Sequence, residues 1–294
     1  MAKYIWVQDL NFLTEGGGAQ LTDRAHFLEG IRRGCNIKVW TPNVTEIPYA
    51  SDNVIIASNP VFLPPSAFYD MSKRGVLYVW FLHDYAPVCK YRLFFPMQEK
   101  CGRCYLKERW MPILLKSKLI IWLSPLHRES WLKLCPELDK IPYHLSPSPV
   151  EVDLFHDMGL PRKGVVAVES LYPFKGREHV LRWTEQHPEV KVTFVGGNPQ
   201  PRDGLPPNAV DLGPVPYEKM NEVYNHHEAF LHLPQSPSPF DRTVVEAYLA
   251  GCRIIGNENV GALSWPFFKG GRTAVGNSCR SSSRGFWEAV ESAV

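Results

Sequence analysis

The sequence has no uncharged apolar run near the roughly 18 residues that a membrane-spanning helix needs, which excludes a chain that crosses a bilayer as a helix. Its first ten residues, MAKYIWVQDL, lack the charged start, apolar stretch and small-residue cleavage site of a secretory signal. No tandem repeat and no collagen period are present, and the 26 prolines are scattered, so they read as loop and boundary markers. An excess of one charge is also missing: 32 Lys+Arg stand against 30 Asp+Glu. The seven cysteines are an odd number, which favours reduced thiols in the cytoplasm over a disulfide framework. What is there is a globular composition, with 45% hydrophobic and 21% charged residues and nine tryptophans. At 294 residues the chain suits one large domain or two of about 150 residues.

The near-neutral total conceals an uneven distribution. Residues 1–150 carry a net +5 and residues 151–294 a net −3, and the segment Lys90–Lys133 alone carries +7. A basic patch attracts phosphates, nucleic acid or an acidic membrane surface, and it also describes a solvated helix face.

Strands and helices alternate along both halves. Tyr4–Val7, Ile37–Trp40, Asn53–Ala57, Val76–Leu82 and Lys118–Leu123 read as strands, the last two apolar enough to be covered on both faces. Leu21, Ala25, Leu28 and Ile31 recur at helical spacing before Gly34, and Pro125–Leu134 is a second helix. Tyr143–Pro149 reads as a linker. The pattern then restarts: strands at Val165–Val168, Val190–Val195, Val210–Leu212, Ala229–Leu233 and Arg253–Ile255; helices at Glu178–Gln186, Tyr217–Asn225 and Thr243–Ala250; and a tail helix at Ser283–Ala293. Such alternation predicts parallel sheets flanked by helices.

Three stretches carry candidate chemistry. Gly16, Gly17 and Gly18 lie between a strand and a helix, where glycines let a phosphate approach the backbone, although neither a Walker A loop nor a full dinucleotide fingerprint is present. Lys175, in LYPFKG, follows the first strand of the second half and has the charge to neutralise a diphosphate. In PQSPSPFDRTVVEAYLAG, Asp241 or its neighbour caps a helix whose first amides form an anion site, and Glu246, one turn in, suits two hydroxyl hydrogen bonds. Each also has a plain reading, as a turn, a surface lysine and a helix-dipole partner.

These pieces, in this order, resemble a retaining GT-B glycosyltransferase of the large family 4 group over almost the whole chain. SPVEVDLF resembles the family's hinge, LYPFKG its donor-lysine motif, and VDLGPVPYEKMNEVY and SPFDRTVVEAYLAG its later donor-side segments. The resemblance implies an α/β GT-B fold, two Rossmann-like parallel-sheet domains facing a central cleft. Residues 1–147 would bind the acceptor and 148–294 the nucleotide sugar, with a tail helix at about 283–293 packing back on the first domain. It implies donor contacts from Gly16–Gly18, Lys175, Ser238, Phe240, Asp241, Arg242, Thr243 and Glu246, and a catalytic histidine at His83 of the HDY sequence. Asp84, Tyr85, Lys90 and Arg92 would lie on the acceptor side.

The chain departs from the family where donor sugar and diphosphate are gripped. Ser238 stands for the first acid of the Glu-x7-Glu motif and Ser170 for an arginine, with Arg177 or Arg242 as substitutes for the lost charge. The implied reaction is sugar transfer from a nucleoside diphosphate sugar to an acceptor hydroxyl, with no catalytic metal. The acceptor is a glycan, a lipid-linked glycan or a hydroxylated base of DNA contacted through residues 90–133, and the enzyme is cytoplasmic or peripheral to the inner membrane surface. Cys89, Cys101 and Cys104 have part of the ligand set of a structural zinc site. A glycosyltransferase-like binding protein without activity is the alternative.

Overall fold

A computed structural model describes residues 3–14, 16–41, 52–58, 60, 65–89, 92, 94, 105–168, 175–196 and 205–294. They fall into two compact units, Met1–Pro149 with Ser281–Val294, and Val150–Arg280.

The first unit is built on six parallel strands: β1 (Lys3–Gln8), β2 (Asn36–Trp40), β3 (Asn53–Ser58), β4 (Leu77–Phe81), β5 (Leu119–Trp122) and β6 (Tyr143–Leu145), in the order β2-β1-β3-β4-β5-β6. β3 and β5 are buried throughout, as their continuous apolar runs require in a sheet covered on both faces. The helices are α1 (Gly18–Arg32), α2 (Pro65–Lys73), α3 (Tyr105–Leu114) and α4 (Pro125–Leu134). α4 starts where the sequence predicts, because Pro125 occupies its first position and the Ser124 hydroxyl accepts the His127 N–H at 3.0 Å. Tryptophans account for much of one core face: Trp80 and Trp110 meet at 5.5 Å, and Trp122 and Trp131 at 5.7 Å.

Three expectations are corrected here. The proposed linker Tyr143–Pro149 begins with a strand, β6, which is three residues long and paired on one side, so it shows no periodicity. The buried face of α1 is Thr22, Asp23, His26 and Gly30, while Leu28 and Ile31 are half exposed. The tail helix, α8 (Gly271–Ala293), begins well before Ser283. Its sequence NSCRSSSRG is poor in strong helix formers, and tertiary packing holds it: Val275, Cys279, Phe286, Trp287 and Val290 are buried. In the first unit Phe286 stacks on His26 at 4.2 Å, and the Trp287 indole N–H donates to the His26 carbonyl at 2.7 Å. A side chain on Gly30 would lie 2.3 Å from Trp287, so the close approach needs glycine there.

The second unit holds five parallel strands: β7 (Val165–Val168), β8 (Val192–Val195), β9 (Ala209–Asp211), β10 (Ala229–His232) and β11 (Arg253–Gly256), in the order β11-β10-β7-β8-β9. Its helices α5 (Arg177–Gln186), α6 (Met220–Asn225) and α7 (Arg242–Leu249) precede the start of α8. Each sheet is parallel and Rossmann-like, which is the α/β architecture of GT-B proteins.

Gly176 opens α5 at φ 87°, and a Cβ there would stand 1.8 Å from the Leu233 carbonyl oxygen. Backbone conformation and close approach therefore both demand glycine. Gly176→Ala is expected to lose at least about 2 kcal/mol of stability, read as a lower urea midpoint. An unchanged midpoint would contradict this packing.

Candidate functional site

In a doubly wound parallel sheet, ligands sit beyond the carboxyl ends of the strands, at the point where successive connections leave in opposite directions. The strand orders put that point between β1 and β3 in the first unit and between β7 and β10 in the second. Most of the described candidate residues gather near these two points, as two separate clusters.

In the second unit Asp241 occupies the N-cap position of α7 with φ 68° and ψ 77°. This left-handed conformation is costly for any residue but glycine and tolerated best by Asn and Asp. The expectation that its side chain caps the helix fails: the carboxylate makes no cap bond. It turns instead to the Ser238 hydroxyl, to His232 at 3.2 Å and to Lys175 at 3.8 Å. Burial alone would raise its pKa, but the neighbouring His232 and Lys175 and the hydrogen bond from Ser238 outweigh that and hold it at about 2. Ser238 is thus the anchor of a carboxylate three residues on; its hydroxyl oxygen also accepts the Gly261 N–H at 3.2 Å.

Glu246 is 3% exposed on the inner face of α7. It accepts from the Tyr217 hydroxyl at 3.1 Å and lies 3.5 Å from Arg242. Burial raises its pKa, and Arg242 and Tyr217 oppose the rise. Arg242 therefore balances Glu246 inside the unit, an arrangement different from the expected substitute for a lost diphosphate-binding charge. Phe240 is buried beside this loop and Thr243 is half-buried. Ser170 lies outside the described residues.

In the first unit His83, just beyond β4, places Nε2 2.8 Å from Asp23 Oδ1 and 3.0 Å from the Ser58 hydroxyl. The Ser58 hydroxyl donates to Asp23 Oδ2 at 2.7 Å. All three residues are buried. Facing a carboxylate, Nε2 carries the proton. Both partners meet the same ring nitrogen, so this is not the relay of a serine nucleophile, which has its carboxylate on the other nitrogen. The network fixes the imidazole and ties α1 to the ends of β3 and β4. Gly16–Gly18 lead into α1, whose N-cap Gly17 makes no side-chain cap bond.

The acceptor-side candidates part company. Arg92 lies 3.5 Å from both Asp84 and Asp9, linking the chain beyond β4 to the chain beyond β1. Tyr85 belongs to the core instead, 1% exposed and stacked on Trp131. Lys90, Cys101 and Cys104 lie outside the described residues. Cys89 is buried, its N–H on the Tyr85 carbonyl at 2.8 Å. Among the described residues no three His, Cys, Asp or Glu side chains are placed to hold a metal ion; Cys101 and Cys104 of the expected zinc site are not among them. Several cations of residues 90–133 have partners within the chain: Lys107 on the Leu134 carbonyl, Arg128 on Asp139 and Lys133 on Glu129.

Sequence reasoning missed Gln8, Asp23, Ser58 and His232. Three of them share a signal, a polar residue closing an otherwise apolar strand: YIWVQ, NVIIAS and AFLH.

No protein-family model matches the chain, and no curated protein matches its sequence. Solved structures match its fold. HepE from Anabaena, in complex with UDP and glucose, aligns with a TM-score of 0.63 at 14% identity over 97% of this chain and 96% of its own. The catalytic domain of starch synthase IV from Arabidopsis thaliana, bound to ADP and acarbose, gives 0.59 at 10% identity over 89% and 84%. AviGT4, a glycosyltransferase involved in avilamycin A biosynthesis, gives 0.54 at 13% identity over 100% and 95%. The class these likenesses define is the GT-B fold. Among the described residues no helix is long and apolar enough to cross a membrane.

Because the folded-state pKa of Asp241 lies below its ordinary value of 3.8, its ionised form stabilises the fold above that value. The contribution is lost as pH falls through about 2. Asp241→Asn, which tolerates the left-handed backbone, should lose less stability than wild type when urea unfolding is repeated from about pH 5 down to pH 2. Parallel acid limbs would refute the pairing.

Proposed function

We propose that this chain is a glycosyltransferase that moves a sugar from a nucleoside diphosphate sugar to an acceptor hydroxyl, with retention at the anomeric carbon, in the manner of the family 4 enzymes its motifs resemble. The observation that carries the reading is the cluster at the β7/β10 switch point: Lys175, the N-terminus of α7 and the buried Glu246, on a fold shared with structures that hold UDP, UDP-glucose or ADP.

On this reading Lys175 and the first amides of α7 stabilise the charge that gathers on the leaving diphosphate. Glu246, already aligned by Tyr217, accepts hydroxyl hydrogen bonds from the ribose. The bond between the anomeric carbon and the phosphate oxygen breaks as the acceptor oxygen bonds to that carbon on the same face, and the acceptor proton passes to the departing phosphate. His83, held by Asp23 and Ser58, orients the sugar or acceptor and is not required as a nucleophile. Thr243 and Phe240 line the donor side, and Asp84 and Arg92 the acceptor side. The acceptor is a glycan, free or lipid-linked, and the enzyme works in the cytoplasm or at the inner membrane surface.

One observation favours the second reading, a nucleotide-sugar-binding protein without turnover: Asp241 already offers Lys175 a carboxylate. A panel of UDP-, GDP- and ADP-sugars, assayed for transfer and hydrolysis, separates the two. A nucleotide at about 100 times its dissociation constant should add roughly 2.7 kcal/mol of stability, visible as a thermal shift. Lys175→Ala and Glu246→Ala are expected to cut turnover by about 100-fold with the fold retained. Wild-type rates in both variants would remove these residues from the site.

A further inference from the structure

Gln8 has no role in the scheme above. It is the last residue of β1, at the β1/β3 switch point of the first unit, and lies opposite Ser58 in the strand register. Its register partner Ser58 bonds Asp23 of α1, so Gln8 shares the sheet face that α1 covers. It is 2% exposed, and neither Oε1 nor Nε2 of its amide has a hydrogen-bond partner among the described residues. A buried amide left without partners on both atoms destabilises a fold. Methionine, of similar length, would fill the same space at no such cost.

The surroundings point to a ligand. Ser58 beside it is bonded to Asp23 and His83. In the loop between β1 and α1, Gly16 is required neither by backbone conformation, since its φ is not in the left-handed region, nor by packing, since a Cβ there meets nothing within 4 Å. A glycine demanded by neither leaves room for something outside the chain to approach the backbone.

We propose that the Gln8 amide is a sugar-binding group of the first unit. It would take two neighbouring hydroxyls of one pyranose, one donating to Oε1 and the next accepting from Nε2. A carboxamide has one acceptor and one donor side by side, which matches a vicinal diol and not a phosphate. Its desolvation has already been met in folding, so the ligand's two hydrogen bonds are gained without stripping water from the protein side. The identity of the sugar as acceptor or donor rests on the transferase reading; the diol chemistry does not.

The test uses the full-length protein and Gln8→Met, with Gln8→Leu as a second apolar variant. The probes are glucose, galactose, mannose, N-acetylglucosamine and xylose, each with and without UDP, and UDP-glucose against UDP alone, followed by calorimetry or ligand-observed NMR. The unliganded Gln8→Met protein should melt about 2–4 °C above wild type, as expected when an orphaned buried amide worth about 1 kcal/mol is removed. It should bind UDP as wild type does, and lose at least tenfold in affinity for a monosaccharide or in the preference for UDP-glucose over UDP. Loss on free monosaccharides assigns the diol to the acceptor, and loss confined to UDP-glucose assigns it to the donor. Equal sugar affinities in variant and wild type, a lower melting temperature in both variants, or a wild type that binds no sugar in either form would overturn the proposal. If UDP fails to bind wild type, the transferase reading falls by itself, while the free-monosaccharide arm still decides Gln8.

Discussion

Asp23 is a carboxylate on the inner face of a helix, 2% exposed, and the first unit is organised around holding it there. Its two oxygens accept from the His83 ring and the Ser58 hydroxyl, so a single side chain fastens α1 to the ends of two central strands. A carboxyl group that deep is tolerable only when its oxygens are met by good partners. That demand fixes the rotation of α1 and therefore which of its residues face inward. The apolar stripe Leu21, Ala25, Leu28 and Ile31 yields to it. Gly30 and His26, on the inward side, then receive Trp287 and Phe286 from the C-terminal helix.

The second unit meets a related demand at Asp241, with the backbone bearing the cost. The residue takes a left-handed conformation that glycine would adopt freely, and its carboxylate is held by Ser238, His232 and Lys175. Stability–function compromise of this kind gathers at ligand sites. Ser238 orients the carboxylate of Asp241, three residues further on at the mouth of α7.

Much of the fold was legible because it rests on local pattern. Continuous apolar runs with β-branched residues marked β3, β4, β5 and β7, and Pro125 opened the stretch predicted as α4. What was not legible has particular reasons. β6 is too short and too exposed to carry a period. α8 is held by burial of Phe286 and Trp287 against a sequence of weak helix propensity. α1 was placed correctly in the chain but turned the wrong way, because a count of apolar residues cannot weigh a buried carboxylate. Of the candidate site, Lys175, Asp241 and Glu246 were found from residue type at strand ends and helix starts, and Ser238 through the family resemblance; their partners His232 and Tyr217 come from other elements.

The sequence by itself determined the alternation of strand and helix, the two parallel sheets that follow from it, and the glycine, lysine and acidic positions at strand ends where ligands gather. These depend on periodicity and on residue type over a few neighbouring positions. Only the tertiary structure decided which side chains face one another: that His83 is held by Asp23 and Ser58, that Arg242 answers Glu246, that Asp241 pairs with Lys175, that Tyr85 is core, and that Gln8 is buried without a partner. Those facts depend on strand order and helix rotation. Both are set by long-range packing and by the need to satisfy buried polar groups, which no local stretch of sequence records.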